Sequence, residues 1–106
     1  AVLIRGEGEG SLPNTRSAAK RARQAERRRR RNQAIKSATR TAVRKVRLAL
    51  ERGDIELATA RLQEAFTALD RAARKGVIHP NQAARRKSRL ARRLNALQAA
   101  AATEGQ

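Results

Sequence analysis

The sequence predicts an all-α protein, a three-helix antiparallel bundle with a long, highly basic N-terminal helix projecting from it. Three observations carry this expectation. Apolar residues recur at spacings of three and four in three successive segments. Gly53 and Gly76 stand where the first two segments end, and Asp54 and Pro80 where the next two begin. Ahead of the first apolar seam, Arg16 to Arg31 reads RSAAKRARQAERRRRR, a stretch with no hydrophobic face and a single carboxylate, Glu26.

The elements follow in order. Residues 1–14 read AVLIRGEGEGSLPN and predict a flexible tail, with glycine at 6, 8 and 10 alternating with Glu7 and Glu9. No strand precedes these glycines and no GK[ST] follows, so they are not a phosphate loop. The chain does not begin with Met, so a processed N-terminus is expected. The first helix is expected over about 15–52, capped by Asn14 or Thr15 just after Pro13 and closed by Gly53 in the left-handed conformation. Its seam reads Ile35, Ala38, Ala42, Val46 and Ala49, with Val43 and Leu50 beside it. Before Ile35 only Ala18, Ala19, Ala22 and Ala25 stand among the charges, so the C-terminal half packs and the N-terminal half projects. Like-charged pairs such as Arg27 and Arg31 repel at i,i+4 and would fray the free arm.

The second helix is expected over about 54–75, with Asp54 as N-cap and Glu56 favourably placed against the dipole. Ile55, Ala58, Leu62, Ala65, Phe66, Leu69, Ala72 and Ala73 form its buried stripe, with Phe66, the only aromatic, in the core. The third is expected over about 80–100, opening at Pro80 as a good first helical residue. Its buried face is Ala83, Leu90, Leu94, Leu97 and Ala101, and residues 102–106 are expected to fray.

Composition narrows the function. The chain has 106 residues, room for one small domain and no large core. With 26 Lys and Arg against 9 Asp and Glu its net charge is +17. Like charges repel in the folded state, so such an excess needs an external polyanion, and a phosphate polymer is the natural one. Arginine greatly outnumbers lysine, which suits paired contacts to phosphate oxygens. With Phe66 alone, stacking on aromatic platforms is excluded, which leaves readout of folded backbone shape. No Cys is present, hence no disulfide and no thiolate metal site, and no apolar run has the length to span a bilayer.

Catalysis finds no support: there is one His, and Glu51, Asp54 and Glu56 cluster at the Gly53 turn where helix capping uses them. No enzyme activity, cofactor, metal or small-molecule substrate is expected. His79 reads most simply as a cap or loop residue ahead of Pro80. On charge alone the candidate RNA-binding residues are Arg16, Arg23, Arg27, Arg28, Arg30, Arg31 and Arg44 on the first helix, and Arg86, Arg89 and Arg92 on the third.

Two stretches also resemble a known family. The first carries Arg16-Ser17-Ala18-Ala19-Lys20-Arg21, then Asn32, Lys36-Ser37 and Arg40-Thr41. The second and more specific is Lys75-Gly76-Val77-Ile78-His79, then Asn81, Ala83-Ala84-Arg85 and Lys87-Ser88-Arg89-Leu90. Over about residues 15–98 the chain is similar to the S-twenty proteins of the bacterial-type small ribosomal subunit. The resemblance implies a non-enzymatic three-helix bundle that binds small-subunit ribosomal RNA directly, early in assembly, among other small-subunit proteins. By motif it places RNA contacts on Ser17, Lys20, Arg21, Asn32, Lys36, Ser37 and Arg40, and on His79, Asn81, Arg85, Lys87 and Ser88. Pro80 stands where many members have a basic residue, and the tail before Thr15 is longer than in most bacterial members. The run AAKRARQAERRR looks closest to plastid members, so a ribosome in the plastid stroma is favoured, with the bacterial cytoplasm as the alternative.

Two other classes fit less well. A dimeric basic-helix DNA-binding or architectural protein needs a zipper, yet the seam from Ile35 to Leu50 spans about two heptads before Gly53 stops it. A homo-oligomer is therefore not expected. A membrane-surface helix needs large apolar anchors opposite its charge, and Arg16 to Arg31 offers only alanines.

Overall fold

The computed structural model describes residues 2–104, with side chains from Thr15 to Glu104. Three helices account for it, α1 (Val2–Arg52), α2 (Ile55–Arg74) and α3 (Pro80–Glu104), and no strand occurs among the described residues. The all-helical class, with a long N-terminal helix and two packing helices, is as the sequence predicts. The chain divides into two compact units, 1–33 and 34–106.

Unit 34–106 holds the core. Val43, Val46, Ala49 and Leu50 of α1 meet Ala58, Ala65 and Leu69 of α2 and Ala83, Leu90 and Leu94 of α3 in one buried cluster. Five of the buried positions are alanines (49, 58, 65, 72 and 83), and the largest fully buried side chains are only Leu69 and Val46. Small side chains let helix backbones approach closely, but each buries little apolar area. Stability therefore depends on close fit rather than on bulk.

The turns hold the helices in register. Gly53 (φ +72°) and Gly76 (φ +75°) both take the left-handed conformation that closes a helix. After Gly53, Asp54 caps α2 by accepting a hydrogen bond from the Leu57 amide at 3.1 Å. After Gly76, the amides of Val77 and Ile78 both donate back to the Ala72 carbonyl, which turns the chain toward α3.

Several expectations are corrected. Helix α1 begins at Val2 rather than near Asn14, and is 51 residues long. The helical backbone runs through Pro13 and the glycines, against intrinsic costs of about 3 and about 1 kcal/mol each. The side chains of residues 1–14 lie outside the described residues, as do residues 105 and 106. Helix α3 runs to Glu104 rather than stopping near 100, which the alanine run 99–102 favours.

In the α1 seam Ala38 is exposed and Thr39 takes the buried place, only 3% exposed. Its hydroxyl donates to the Ile35 carbonyl at 2.8 Å, which satisfies the polar atom and leaves the methyl to pack. The seam thus runs Thr39–Val43–Val46–Leu50. Phe66 is half-buried at the margin of the core rather than inside it, with the Lys87 ammonium 5.1 Å above its ring.

Candidate nucleic-acid interface

In unit 1–33 the described side chains belong to a single helix. Arg16, Lys20, Arg23, Arg27 and Arg31 recur at spacings of four and three, so they share one face. Arg21 and Arg28, with Ser17, border it; Ala18, Ala22 and Ala25 lie opposite. Every one of these side chains is exposed.

Glu26 sits beside this face and engages two arginines. Arg29 donates Nε to Oε2 at 2.9 Å and Nη2 to Oε1 at 2.6 Å, and Arg30 donates Nε to Oε1 at 3.1 Å. The hydrogen-bonded Arg29 guanidinium holds the Glu26 carboxyl below its ordinary value of 4.5; desolvation opposes this and Arg30 adds to it. Arg29 is raised in return by the same contact. Arg27, Arg28 and Arg31 make no salt bridge among the described residues. In the run of five arginines, three are therefore free for an external anion. Asn32, half-buried, leaves its Oδ1 without a hydrogen-bond partner.

In unit 34–106 the cations converge. Helices α1 and α3 run side by side in the same direction, since Arg40 and Arg86 share one cleft while Leu50 and Arg93 share another further along. Between them lies a groove of about 580 Å³ lined by Arg40, Arg44 and Arg47 on α1 and Arg86, Arg89 and Arg93 on α3, with Val43 and Leu90 as its apolar floor. No carboxylate lines it. Each row follows the i, i+3/i+4, i+7 pattern of a single helix face. The neighbouring cleft brings Lys36 and Thr39 to Val77, Ile78 and Gln82 of the link and α3. Around α3, Arg85, Ser88, Arg89 and Arg92 form a further basic hollow, in which Arg92 donates to the Ser88 hydroxyl at 3.1 Å.

Two sequence candidates have structural work of their own. Lys87 pairs with Asp70 of α2 at 2.9 Å besides lying over Phe66, so it ties α3 to α2. His79 caps α3, with Nδ1 accepting from the Asn81 amide at 3.0 Å and its carbonyl accepting from Gln82 and Ala83. That hydrogen bond puts the ring proton on Nε2 and leaves it available as a donor. Ser37 and Asn81 are exposed on α1 and α3 but line none of the three hollows. Charge reasoning missed Arg47 and Arg93; the spacing 40/44/47 and 86/89/93 was the signal that would have found them.

Helix α2 is different. Its Glu56, Glu64 and Asp70 balance Arg61, Arg71 and Arg74, and Arg61 pairs internally with Glu64 at 3.1 Å. No helix among the described residues is long and apolar enough to cross a membrane. No group of three acidic, His or Cys side chains among them could hold a metal ion.

A small helical chain that leaves most arginines of its arm, and all six of one groove, without a carboxylate partner offers surfaces suited to a polyanion. Comparison with known proteins makes the class specific. The family model described as Ribosomal protein S20 matches residues 13–95. The "Small ribosomal subunit protein bS20" of Thermomicrobium roseum is 52% identical over 95 residues, spanning 90% of this chain and 96% of that protein. The protein of the same name from Nocardia farcinica is 55% identical over 86 residues, 81% of this chain and 100% of its own length. That from Cutibacterium acnes is 52% identical over 88 residues, 83% and 100%. The chain belongs to the ribosomal protein S20 family.

Proposed function

We propose that the chain is a structural, non-enzymatic component of the small ribosomal subunit that binds small-subunit ribosomal RNA directly and helps its assembly. The observation that carries this reading is the set of arginines left without carboxylate partners, on the arm and along α1 and α3. The names of the bS20 relatives support it.

The mechanism is displacement of counterions with readout of backbone shape. Guanidinium groups release the ions condensed on phosphates, and packing through Val43, Val46 and Leu90 holds the α1 and α3 rows at a fixed spacing. The major groove of A-form RNA is too deep and narrow for side chains, so phosphates and 2′-hydroxyls are the accessible targets. Arg16, Ser17, Lys20, Arg21, Arg23, Arg27, Arg28 and Arg31 serve the arm, with Asn32 joining them once its buried, unpartnered Oδ1 turns outward to accept from a 2′-hydroxyl. Arg30 joins them by exchanging Glu26 for phosphate. Lys36, Ser37, Arg40, Arg44, Arg85, Arg86, Ser88, Arg89 and Arg92, with the Nε2 donor of His79 and exposed Asn81, serve the second unit. Lys87 contributes by holding α3 in place.

The chain acts as a monomer beside other small-subunit proteins. The seam that a zipper would need, Val43, Val46 and Leu50, is already covered by α2 and α3, which favours this over the dimeric DNA-binding reading. Sedimentation that gives a dimer would overturn it. For compartment, the run AAKRARQAERRR favours the plastid stroma, while the organisms of the reported relatives favour a bacterial cytoplasm. Recovery from purified plastid ribosomes of the source cells, or its failure, separates these.

The RNA reading is tested by affinity for a folded small-subunit ribosomal RNA fragment and for an unrelated duplex, each across a salt series. A preference for the ribosomal fragment that survives high salt is expected. Arg28→Gln with Arg31→Gln should lower the salt slope by about two. Equal affinities that collapse together would reduce the chain to a generic polycation.

A further inference from the structure

The groove between α1 and α3 is more specific than a basic surface requires. Oppositely charged side chains three or four residues apart on a helix can pair, as Arg61 does with Glu64. Here six arginines line one groove without a carboxylate, and none of them makes a salt bridge among the described residues. The carboxylates of this unit were available, yet those in ion pairs, Glu64 and Asp70, both lie on α2. The rows cannot spread to relieve their repulsion, because Val43 and Leu90 between them are core residues, 8% and 4% exposed.

Geometry selects the ligand. Each row places three arginines along about 10 Å of helix, at 1.5 Å per residue. Planar guanidinium groups bind phosphate oxygens in pairs, and those on facing rows can grip one group from both sides. The apolar floor lowers the local dielectric and strengthens each contact. A lone monophosphate meets only part of this array, whereas two or three linked phosphates match its length and its charge.

We propose that the α1–α3 groove is a discrete binding site for compact polyanions carrying two or three adjacent phosphates, and that its occupancy stabilises unit 34–106. This goes beyond the ribosomal RNA reading, since a soluble oligophosphate satisfies the site as well as a tightly turned RNA backbone does. The shared chemistry is a short run of neighbouring phosphates.

The experiment uses the full chain with inorganic tripolyphosphate as probe, read by calorimetric titration and by the thermal midpoint of the helical circular dichroism signal. Sodium phosphate and sodium chloride at matched ionic strength are the controls. One dominant site per chain is expected, with a saturable rise in midpoint of about 5 °C or more beyond either control. Arg44→Gln with Arg89→Gln, which removes the middle of both rows, should weaken tripolyphosphate at least about tenfold. Because it relieves repulsion, this variant should fold at least as well as the parent. Arg71→Gln with Arg74→Gln removes the same charge from α2 and should leave the site intact.

Equal weakening in both double variants, or a midpoint shift reproduced by phosphate or chloride, would overturn the proposal. Affinity of the same proteins for the ribosomal RNA fragment separates the two readings. Tripolyphosphate binding without RNA preference sinks the ribosomal reading alone, and RNA preference without a tripolyphosphate site sinks this one alone.

Discussion

At the scale of single residues, the charges here divide into those that hold the fold and those kept free, and position in sequence does not separate them. Lys87 belongs to a basic cluster, yet its ammonium pairs with Asp70 and covers Phe66. Replacing it with Met keeps the stem and removes both contacts. Lys87→Met should therefore cost about 1 kcal/mol in denaturant unfolding, with the double variant Lys87→Met, Asp70→Asn no worse. An unchanged unfolding midpoint would mean that Lys87 serves RNA only.

Glu26 shows the converse, a carboxylate inside a cationic run. Its folded value lies below the ordinary 4.5 because of Arg29, so its contribution to helix stability is complete above 4.5 and is lost as pH falls through the folded value. Carboxyl titration by nuclear magnetic resonance should find it below 4.5; a value at or above that would remove the Arg29 contact from the account. The pair Glu26–Arg29 was legible in the sequence as an i,i+3 spacing. The Lys87–Asp70 pair, seventeen positions apart, was not, because it depends on how α2 and α3 pack. Ala38 was expected in the seam where Thr39 lies for a related reason: a hydroxyl reads as polar until the Ile35 carbonyl is there to accept it.

At the scale of elements, turns and caps were the most legible part of the chain. Asp54, Gly53, Gly76 and Pro80 are each suited to one backbone role, and each stands where that role is required. A Cβ on Gly53 or Gly76 would meet no atom within 4 Å, so space is not the constraint. The positive φ is. Gly53→Ala and Gly76→Ala should each cost about 1 kcal/mol from backbone strain alone. Wild-type unfolding midpoints in both would show that these turns relax without penalty. Helix ends away from such residues were less legible. The start of α1 lies among glycines and Pro13, which disfavour the helix that the structure shows, and the end of α3 follows an alanine run with no stop signal before Glu104. The two arginine rows were half legible: their charge was plain, but a groove exists only once α1 and α3 lie side by side.

At the scale of the whole molecule, a net charge of +17 on 106 residues opposes the folded state at every temperature. Added salt screens that repulsion, with a Debye length near ~10 Å at 0.1 M and ~3 Å at 1 M. The thermal midpoint of the free protein should rise with sodium chloride over this range. A flat or falling response would show that its charges are balanced locally after all. Salt thus acts in opposite directions on folding and on RNA binding, and the two slopes measured together separate self-repulsion from phosphate contact.

The alanines at 49, 58, 65, 72 and 83 have a consequence for how such a chain can change over generations. Wherever two helices are separated by a methyl group, every substitution except glycine adds volume, and added volume in a packed interior forces the backbones apart. Drift at those five places is thus restricted by size alone, whatever the chemistry of the newcomer. The exposed cations bear no such steric ceiling and can exchange positions along a face. Sites that bear no charge and touch no RNA should then diverge as slowly as the motif residues that contact it, for a reason of volume alone.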